Sequence, residues 1–234
     1  MSGKKGVRVK VGGEYACFTR PEFKVERVTY PIITPSAARG VLEAIYWKPE
    51  FRWEIREIQV LKDIRETSIL RNEIDATQNK QVGPFFIEDK RIQRTCLMLR
   101  DVEYIIQAEV VQKPHDKEHP EKHIDCFTRR VLKGQCHYRP YLGTREFDAW
   151  FEAPTDEDVP LSFDRRVGNM LFDIAFQENS VRKEMSFLKT VVDKQRKVNG
   201  CALAVFFEAN IENGRLIVPR EKYQQLYKME NGHA

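Results

Sequence analysis

The chain has 234 residues, of which 41% are hydrophobic and 32% charged, a composition typical of a soluble globular protein with one large domain or two small ones. Its apolar runs are too short to span a membrane and no signal-peptide core follows the basic N-terminus, so we expect a cytoplasmic protein without membrane contact. The five cysteines include no CxxC pair, which favours reduced thiols. The net charge of +4 permits an anionic partner without requiring one.

Two strands and a helix are predicted in the first 61 residues. Residues 7–18 begin with alternating apolar and charged side chains, which is typical of a half-buried strand. Thr34 is a suitable N-cap and Pro35 suits the first turn of a helix, and apolar residues follow at helical spacing until Pro49. Residues 53–61 alternate again and are predicted as the second strand.

The middle of the chain is predicted to hold two more strands and a second helix. Residues 71–93 are polar and nearly aperiodic, so we expect a long flexible excursion between strands. Residues 95–112 are strand-like, a helix is expected over 120–133, and 141–151 is predicted as the fourth strand. The order strand–helix–strand–strand–helix–strand is that of the ferredoxin-like split βαβ fold, which RNA-recognition modules also use.

An acidic, apolar-poor stretch at 153–158 indicates a domain boundary. Beyond it, apolar runs at 170–176 and 202–211 are predicted strands, and Asn213-Gly214 predicts a hairpin turn because both residues tolerate the positive φ of a type I′ turn. The expected fold class is α+β, with a ferredoxin-like N-terminal domain and a smaller antiparallel β-rich C-terminal domain. The predicted domains are 1–154, including a flexible insertion at about 71–93, and 155–234.

Four of the five histidines lie within one short segment, and His115, His119 and His123 are evenly spaced. On a continuous helix, this spacing would place three imidazoles on one face, as a zinc site requires. A loop-plus-helix metal site that uses Cys126 is a second version of the same hypothesis. Either version predicts a metal-dependent nuclease or hydrolase.

Two prolines argue against a helix that carries all three histidines on one face. Proline removes a backbone donor and disfavours helix in the residue before it, so Pro114 and Pro120 interrupt the segment. Pro120 instead suits the first turn of the helix at 120–133. We therefore expect His115 and His119 to lie in the preceding loop and expect no metal site.

The helix at 120–133 carries a cationic arc beside its apolar stripe. On a helical wheel, Ile124, Phe127 and Val131 form the buried stripe. His123 and Arg130 lie on one edge of that stripe, and Lys122, Cys126 and Arg129 continue round the same side. Such an arc suits a phosphodiester, because lysine and arginine hold phosphate while imidazole titrates near neutral pH. A solvated basic face with a border histidine is the alternative.

Further cations lie near the first strand and helix and indicate an RNA-binding surface that also permits DNA: Arg20, Lys24, Arg27 and Arg39. Tyr46 lies at the end of the first helix and has two interpretations. One is a core aromatic residue whose hydroxyl is satisfied at the sheet edge. The other is a functional tyrosine that positions a ribose hydroxyl or stacks a base.

Three long, unusual runs of sequence are recognisable: FTRPEFKVERVTY at 18–30, ITPSAARGVLEAIYWKP at 33–49 and GQCHYRPYLGTREF at 134–147. They closely resemble the CRISPR-associated Cas-five family of subtype I-C (the Dvulg type), a branch of the repeat-associated (RAMP) superfamily. The resemblance extends from about residue 7 to beyond residue 150 and continues more weakly at 167–174.

The resemblance implies a RAMP ferredoxin-like domain followed by a β-rich domain. It also implies a metal-independent endoribonuclease, without a cofactor, that cuts CRISPR precursor RNA within the repeat hairpin. Such a protein stays bound to the guide RNA with the backbone and large subunits of the type I-C interference complex. A non-catalytic subunit that caps the 5′ handle of the guide RNA is the alternative.

The family's site is a tyrosine on the first helix plus a Lys-His pair, and these match Tyr46 and Lys122-His123. Ile124 and Cys126 differ from the aromatic residue and the methionine that relatives tend to carry there. The implied reaction is attack of a ribose 2′-hydroxyl on the adjacent phosphorus, which leaves a 2′,3′-cyclic phosphate. His123 would act as general base or acid, Lys122 would stabilise phosphate charge and Tyr46 would orient or activate the hydroxyl. Two further residues are predicted to line the RNA path: His137 and Arg145.

Overall fold

The computed structural model describes residues 6–23, 25–76, 85–191 and 194–231. Its helices are α1 (Pro35–Ile45), α2 (Pro120–Leu132) and α3 (Arg220–Glu230). Its strands are β1 (Gly6–Ala16), β2 (Arg27–Val28), β3 (Phe51–Val60), β4 (Glu66–Ile74), β5 (Arg91–Gln112), β6 (Trp150–Glu152), β7 (Arg165–Glu178), β8 (Met185–Val191), β9 (Lys194–Glu212) and β10 (Arg215–Ile217). Within these ranges, no helix combines the length and the apolar character that crossing a membrane requires.

One mainly antiparallel sheet connects all of these strands. Its main path is β6-β1-β5-β3-β10-β9-β7, while β2 and β4 pair with β5 and β8 pairs with β9. The pairing of β2 with β5 is parallel, and the other pairs are antiparallel. The predicted α+β class is confirmed, with the antiparallel sheet as its dominant feature.

Strand β5 organises the first half of the sheet because both of its edges are paired. One edge pairs with β1, from Gly6 opposite Glu109 to Ala16 opposite Leu99. The other edge pairs with β4 over the first part of the strand and with β3 over the second. With the short parallel strand β2, a single 22-residue strand therefore holds four neighbours in register and carries the chain directly to the loop before α2.

Helix α1 begins as its sequence predicts. The Thr34 hydroxyl accepts a hydrogen bond from the Ala37 N–H at 3.2 Å, which satisfies one of the free donors of the first turn, and Pro35 is the first helical residue. Val41 and Leu42 lie on the buried face, which packs against β3 and β7. The helix thereby delivers Tyr46, the residue after its last turn, to the edge of the core.

Helix α2 also begins where the prolines predict. His119 is its N-cap, and His119 Nδ1 accepts a hydrogen bond from the Glu121 N–H at 3.4 Å. The placement of His119 outside the helix is confirmed. The predicted stripe of Ile124, Phe127 and Val131 is buried, and the helix packs against β1 and β5.

The irregular excursion predicted for 71–93 is wrong at both ends. Strand β4 continues to Ile74, and β5 already begins at Arg91, opposite Ile74. Both strands are largely exposed here, so their side chains are polar on both faces and show no apolar alternation. Each strand is held by pairing with the other, which the local sequence pattern does not reveal. Residues 77–84 lie outside the described residues.

The fourth strand predicted for 141–151 is also wrong over most of its length, because β6 begins only at Trp150. Upstream of it a single bridge joins Tyr141 and Asp148. Gly143 has φ +88°, and a Cβ there would lie 2.0 Å from the carbonyl oxygen of Cys17, the residue after β1, so the chain turns sharply against the end of that strand. A turn in which the Phe147 N–H donates to the Thr144 carbonyl follows.

The C-terminal part consists mainly of β7 paired with β9, which confirms the two predicted strands. Asn213 and Gly214 form the predicted turn, with φ of 48° and 71°. Strand β8 and helix α3 were not predicted, and α3 packs against β7 and β9. Strand β10 lies between β9 and β3, so the sheet passes without a break from the first half of the chain to the second.

Candidate active site

Tyr46 is locked at the C-terminal end of α1. Its N–H donates to the Leu42 carbonyl, and its own carbonyl accepts a hydrogen bond from Trp53 Nε1 at 2.9 Å. Its ring stacks on that of Phe51 with 5.7 Å between centroids, and the residue is 6% exposed. The backbone and ring are therefore fixed, and the hydroxyl has one defined direction.

His123 meets that hydroxyl from α2. Its Nδ1 lies 3.2 Å from Tyr46 Oη, although the two residues are 77 positions apart in sequence. The imidazole packs against Phe51 at 4.6 Å between ring centroids, and the residue is only 2% exposed. The structure thus brings together two of the three residues predicted to be catalytic, in direct hydrogen-bonding contact.

Asp116 completes a chain of three side chains and was missed from the sequence. Its Oδ2 lies 3.1 Å from His123 Nε2, and its side chain has no exposed surface. The same carboxylate accepts hydrogen bonds from Gln112 Nε2 and from the Glu118 N–H, both at 2.9 Å. The only sequence signal was an acidic residue in the loop that Pro114 and Pro120 delimit, and nothing in its spacing indicates that it turns back to His123.

The protonation states of this chain follow from its surroundings. Burial acts to raise the pKa of Asp116, but the hydrogen bonds from Gln112, the Glu118 N–H and His123 outweigh it and hold that pKa below its usual value. Burial, with the adjacent Cys126 thiol, raises the pKa of Tyr46 to about 12. At neutral pH, Asp116 is therefore a carboxylate and Tyr46 a neutral phenol.

Lys122 lies on the outer surface of α2, beside His123 in sequence but outside the hydrogen-bonded chain. Its side chain is 60% exposed and forms an ion pair with Glu118, four residues earlier. The hydrogen bond to Glu118 raises the pKa of Lys122, so the ammonium is charged at neutral pH. A phosphate that approaches α2 would have to replace Glu118 as the partner of the Lys122 ammonium.

Arg130 supports Tyr46 from the next turns of α2. One guanidinium nitrogen donates to the Ile45 carbonyl at 2.7 Å, at the open end of α1, and the guanidinium lies 5.1 Å from the centre of the Tyr46 ring. Arg129 differs from it: it is exposed, lies 4.0 Å from the Cys126 thiol and has no carboxylate partner in the part of the chain that the structure describes.

Three of the cations predicted near the first strand and helix are occupied by protein groups. Arg20 lies over the Tyr30 ring at 4.6 Å, and Arg27 pairs with Glu146 at 2.9 Å. Arg39 makes two hydrogen bonds to Asp173, both of 2.9 Å. Lys24, the fourth predicted cation, lies outside the described residues.

The loop after α2 carries the last two predicted contacts. His137 is exposed, and its N–H donates to the Ala44 carbonyl at 2.8 Å, so the loop docks on the same end of α1 that carries Tyr46. Arg145 is exposed on the turn after Gly143 and, within the described ranges, has no acidic partner. Both residues lie within the chain segment that links α2 to β6.

In residues 6–23, 25–76, 85–191 and 194–231, no three His, Cys, Asp or Glu side chains are grouped so that they could hold a metal ion. This holds for His115, His119 and Cys126, the alternative site considered from the sequence. His119 instead caps α2 and is 75% exposed at its side chain.

Comparison with known proteins connects this geometry to a family. The family model Cas_Cas5d, described as CRISPR-associated protein (Cas_Cas5), matches residues 6–218. A protein of Thermus thermophilus named CRISPR pre-crRNA endoribonuclease Cas5d is 52% identical over 231 residues, which cover 97% of each chain. A protein of the same name from Mannheimia succiniciproducens is 42% identical over 234 residues, which cover 91% of this chain and 94% of the relative.

A solved structure supports the fold. The crystal structure of a CRISPR-associated protein superposes with a TM-score of 0.62 and covers 92% of both chains at 20% identity. At that identity, the likeness concerns the path of the backbone and says nothing of individual side chains.

Proposed function

The chain belongs to the CRISPR-associated Cas5d family, and we propose that it cuts CRISPR precursor RNA within the repeat hairpin and stays bound to the resulting guide RNA. The two relatives named above as pre-crRNA endoribonucleases support this activity. The proposed partners are the backbone and large subunits of the type I-C interference complex. These partners follow from the family and from the resemblance of the sequence.

The observation that carries the proposal is the contact between Tyr46 and His123. A phenol and an imidazole lie 3.2 Å apart in a site with almost no water access, and an ammonium, that of Lys122, is on the neighbouring surface. Such a set can transfer protons and supplies a positive charge for phosphate oxygens. These are the requirements of phosphodiester cleavage by a ribose hydroxyl.

In the proposed reaction, the 2′-oxygen at the scissile nucleotide attacks the adjacent phosphorus and loses its proton to the Tyr46–His123 pair. The bond from phosphorus to the 5′-oxygen breaks, and that oxygen takes up a proton. The products carry a 2′,3′-cyclic phosphate and a 5′-hydroxyl. Lys122 leaves Glu118 for a non-bridging phosphate oxygen and stabilises the charge that builds there.

Among the predicted cations, RNA binding is proposed for two that are exposed and have no carboxylate partner within the described residues, Arg129 and Arg145, together with the loop that carries His137. Arg130 acts in this proposal by holding Tyr46, since its guanidinium is already bonded to the Ile45 carbonyl. Arg20, Arg27 and Arg39 reach RNA only by giving up their present partners. The repeat is read through hairpin shape and flanking single strand.

We also propose that the first part of the chain is a ferredoxin-like RAMP domain that ends near residue 154. The strand order β6-β1-β5-β3, with α1 between β1 and β3 and α2 between β5 and β6, supports this assignment because it is the 4-1-3-2 order of the split βαβ pattern. The added strands β2 and β4 extend β5 beyond this unit. The β-rich part from 155 onward then forms the second domain.

A cleavage assay with the chain's own repeat RNA tests the activity. We expect one cut within the repeat that persists in EDTA and is lost in His123→Ala. His119→Asn is a matched control, because it changes an exposed histidine at the N-terminus of the same helix and keeps a side chain that can cap it. Cleavage that requires a metal and is lost in His119→Asn would instead support the metal site, and tight binding with no cutting in any buffer would support the guide-RNA cap.

A further inference from the structure

We propose that Asp116 is a positioning residue that holds His123 in one tautomer, so that Tyr46, rather than the imidazole, is the group that touches the ribose hydroxyl. The proposal rests on the proposed function, since it divides the work within the same site. It concerns a residue of the loop before α2 that no sequence pattern singled out.

The geometry leaves His123 no free nitrogen for RNA. Nδ1 lies 3.2 Å from Tyr46 Oη and Nε2 lies 3.1 Å from Asp116 Oδ2. The side chain of His123 is 3% exposed and that of Asp116 not at all. The imidazole can therefore exchange a proton with a substrate only through the Tyr46 oxygen, unless the site opens.

Asp116 itself is held from two sides. Gln112, the last residue of β5, donates to Oδ2, and the Glu118 N–H donates to Oδ1. The Asp116 N–H in turn donates to the Lys113 carbonyl at 3.0 Å. These bonds fix the loop and point the carboxylate at the imidazole, which is how a supporting residue orients a catalytic base.

The charge of Asp116 determines which nitrogen of His123 carries hydrogen. A carboxylate accepts hydrogen bonds and donates none, so Nε2 carries the hydrogen and Nδ1 of the neutral ring accepts from the Tyr46 hydroxyl. While the Tyr46 hydroxyl donates its hydrogen bond to Nδ1, its oxygen keeps lone pairs that can accept a proton.

The proton step then balances as a relay. The 2′-hydroxyl gives its proton to Tyr46 Oη while the phenolic proton moves to His123 Nδ1, and the resulting imidazolium is stabilised by the Asp116 carboxylate. The phosphorus–5′-oxygen bond breaks as the 2′-oxygen attacks, and the 5′-oxygen takes a proton from solvent. The imidazolium later returns one to solvent through the Tyr46 oxygen. Tyr46 is neutral before and after the step, so the reaction does not require an ionised Tyr46 at the start.

The other ionisable groups near the relay do not replace Asp116. From α2, Cys126 and Arg130 face Tyr46, and Lys122 pairs with Glu118 on the exposed side. From β3, Phe51 presents an apolar ring to the imidazole. Asp116 is the one carboxylate within hydrogen-bonding distance of His123 in the part of the chain that the structure describes.

The first experiment reads the tautomer without RNA. Two-dimensional NMR of protein labelled with ¹⁵N in its histidines should show His123 with hydrogen on Nε2 only. In Asp116→Asn the ring should become a mixture of tautomers, because an amide both donates and accepts. A pure Nε2–H tautomer retained in Asp116→Asn would overturn the proposal. This reading stays valid if the protein cuts no RNA, in which case the proposed function fails separately.

The second experiment measures cleavage at single turnover. Asp116→Asn should slow the chemical step by about 100-fold, with the dissociation constant for repeat RNA unchanged, as expected for loss of an orienting carboxylate. Asp116→Glu should restore part of the rate. Asp125→Asn removes the same charge from an exposed position of α2 and should leave the rate unchanged.

A double variant separates positioning from a merely structural effect. In a His123→Ala background, Asp116→Asn should cause no further loss, because residues that act as one unit are not additive. A wild-type rate in Asp116→Asn, or an equal loss with and without His123, would show that Asp116 does not act through the imidazole.

Discussion

Helix α1 carries two polar networks, each with a buried partner from a distant part of the chain, and they differ in what their protons can do. In the middle of the helix, Arg39 bonds to Asp173, a residue 134 positions away. At its end, Tyr46 bonds to His123, 77 positions away. Both networks join the helix to distant parts of the chain through partners that are nearly inaccessible to solvent. Polarity and long reach along the chain alone do not distinguish them.

The two networks differ in whether a proton can move within them. Burial acts to lower the pKa of Arg39, but Asp173 and Glu43 outweigh it and hold that pKa well above its usual value, so the guanidinium never gives up its proton. The Tyr46–His123–Asp116 chain contains an imidazole whose two nitrogens can each hold or release a proton while every member keeps a partner. The Arg39–Asp173 network is a permanent ion pair, whereas the Tyr46–His123–Asp116 network can transfer a proton.

The largest expected effect comes from Tyr46→Phe, which removes one oxygen from the second network. We expect cleavage to fall by about 1,000-fold, because the relay loses its contact with the ribose, while a single buried hydrogen bond costs only about 1 kcal/mol of folding free energy. Single-turnover rates and urea unfolding measure the two quantities. Tyr227→Phe is the control, since it removes a hydroxyl bonded to Glu54 at 2.8 Å outside the site.

Asp173→Ala should break the first network and show the opposite pattern. Asp173→Ala leaves Arg39 with Glu43 as its remaining carboxylate partner, and the loss of two hydrogen bonds to a partly buried guanidinium should reduce the free energy of unfolding by about 2 kcal/mol. The cleavage rate per folded molecule should change little. A variant that folds as well as wild type but cuts slowly would reverse the roles assigned to the two networks.

A smaller effect is expected at Lys122, which is exposed and belongs to neither network. Lys122→Ala should slow cleavage by about 10-fold to 100-fold through loss of phosphate stabilisation, without affecting folding. Lys122→Arg should keep part of the rate. Lys133→Ala, a charge removal at the far end of the same helix, tests whether overall charge alone explains the result.

The smallest expected effect is the change with pH in the stability difference between wild type and Asp116→Asn. The pKa of Asp116 is lowered in the folded protein, so its carboxylate contributes stability above its usual pKa of about 4, and this contribution is lost as the pH falls through the folded value. Asp116→Asn should therefore be less stable than wild type at pH 7, and the difference should shrink in acid. Urea unfolding from pH 7 down to pH 3 measures it. A difference that grows in acid would contradict the sign.

The local features of this fold were predictable because they depend on neighbours in sequence. Thr34 and Pro35 set the start of α1, Pro120 sets that of α2, and Asn213-Gly214 adopts the positive φ values of its hairpin turn. The periodicity of α2 also predicted its buried stripe. These are effects of backbone geometry and capping within a few residues.

The features that the sequence did not reveal depend on partners far along the chain. Nothing near Arg39 indicates that Asp173 lies against it, so it was predicted to be available for RNA. Asp116 is likewise an ordinary loop acid until the loop turns back onto α2. The polar strand β4 and the turn at Gly143 were mispredicted for the same reason, since tertiary contacts determine both.

The central claim is that this site removes the proton of a ribose 2′-hydroxyl, and one substrate tests it directly. Repeat RNA with a single 2′-deoxy nucleotide at the scissile position should bind as tightly as unmodified RNA and remain uncut by the wild-type protein. The unmodified RNA should be cut in the same buffer to a 2′,3′-cyclic phosphate end. Cleavage of the deoxy substrate at a comparable rate would contradict the account.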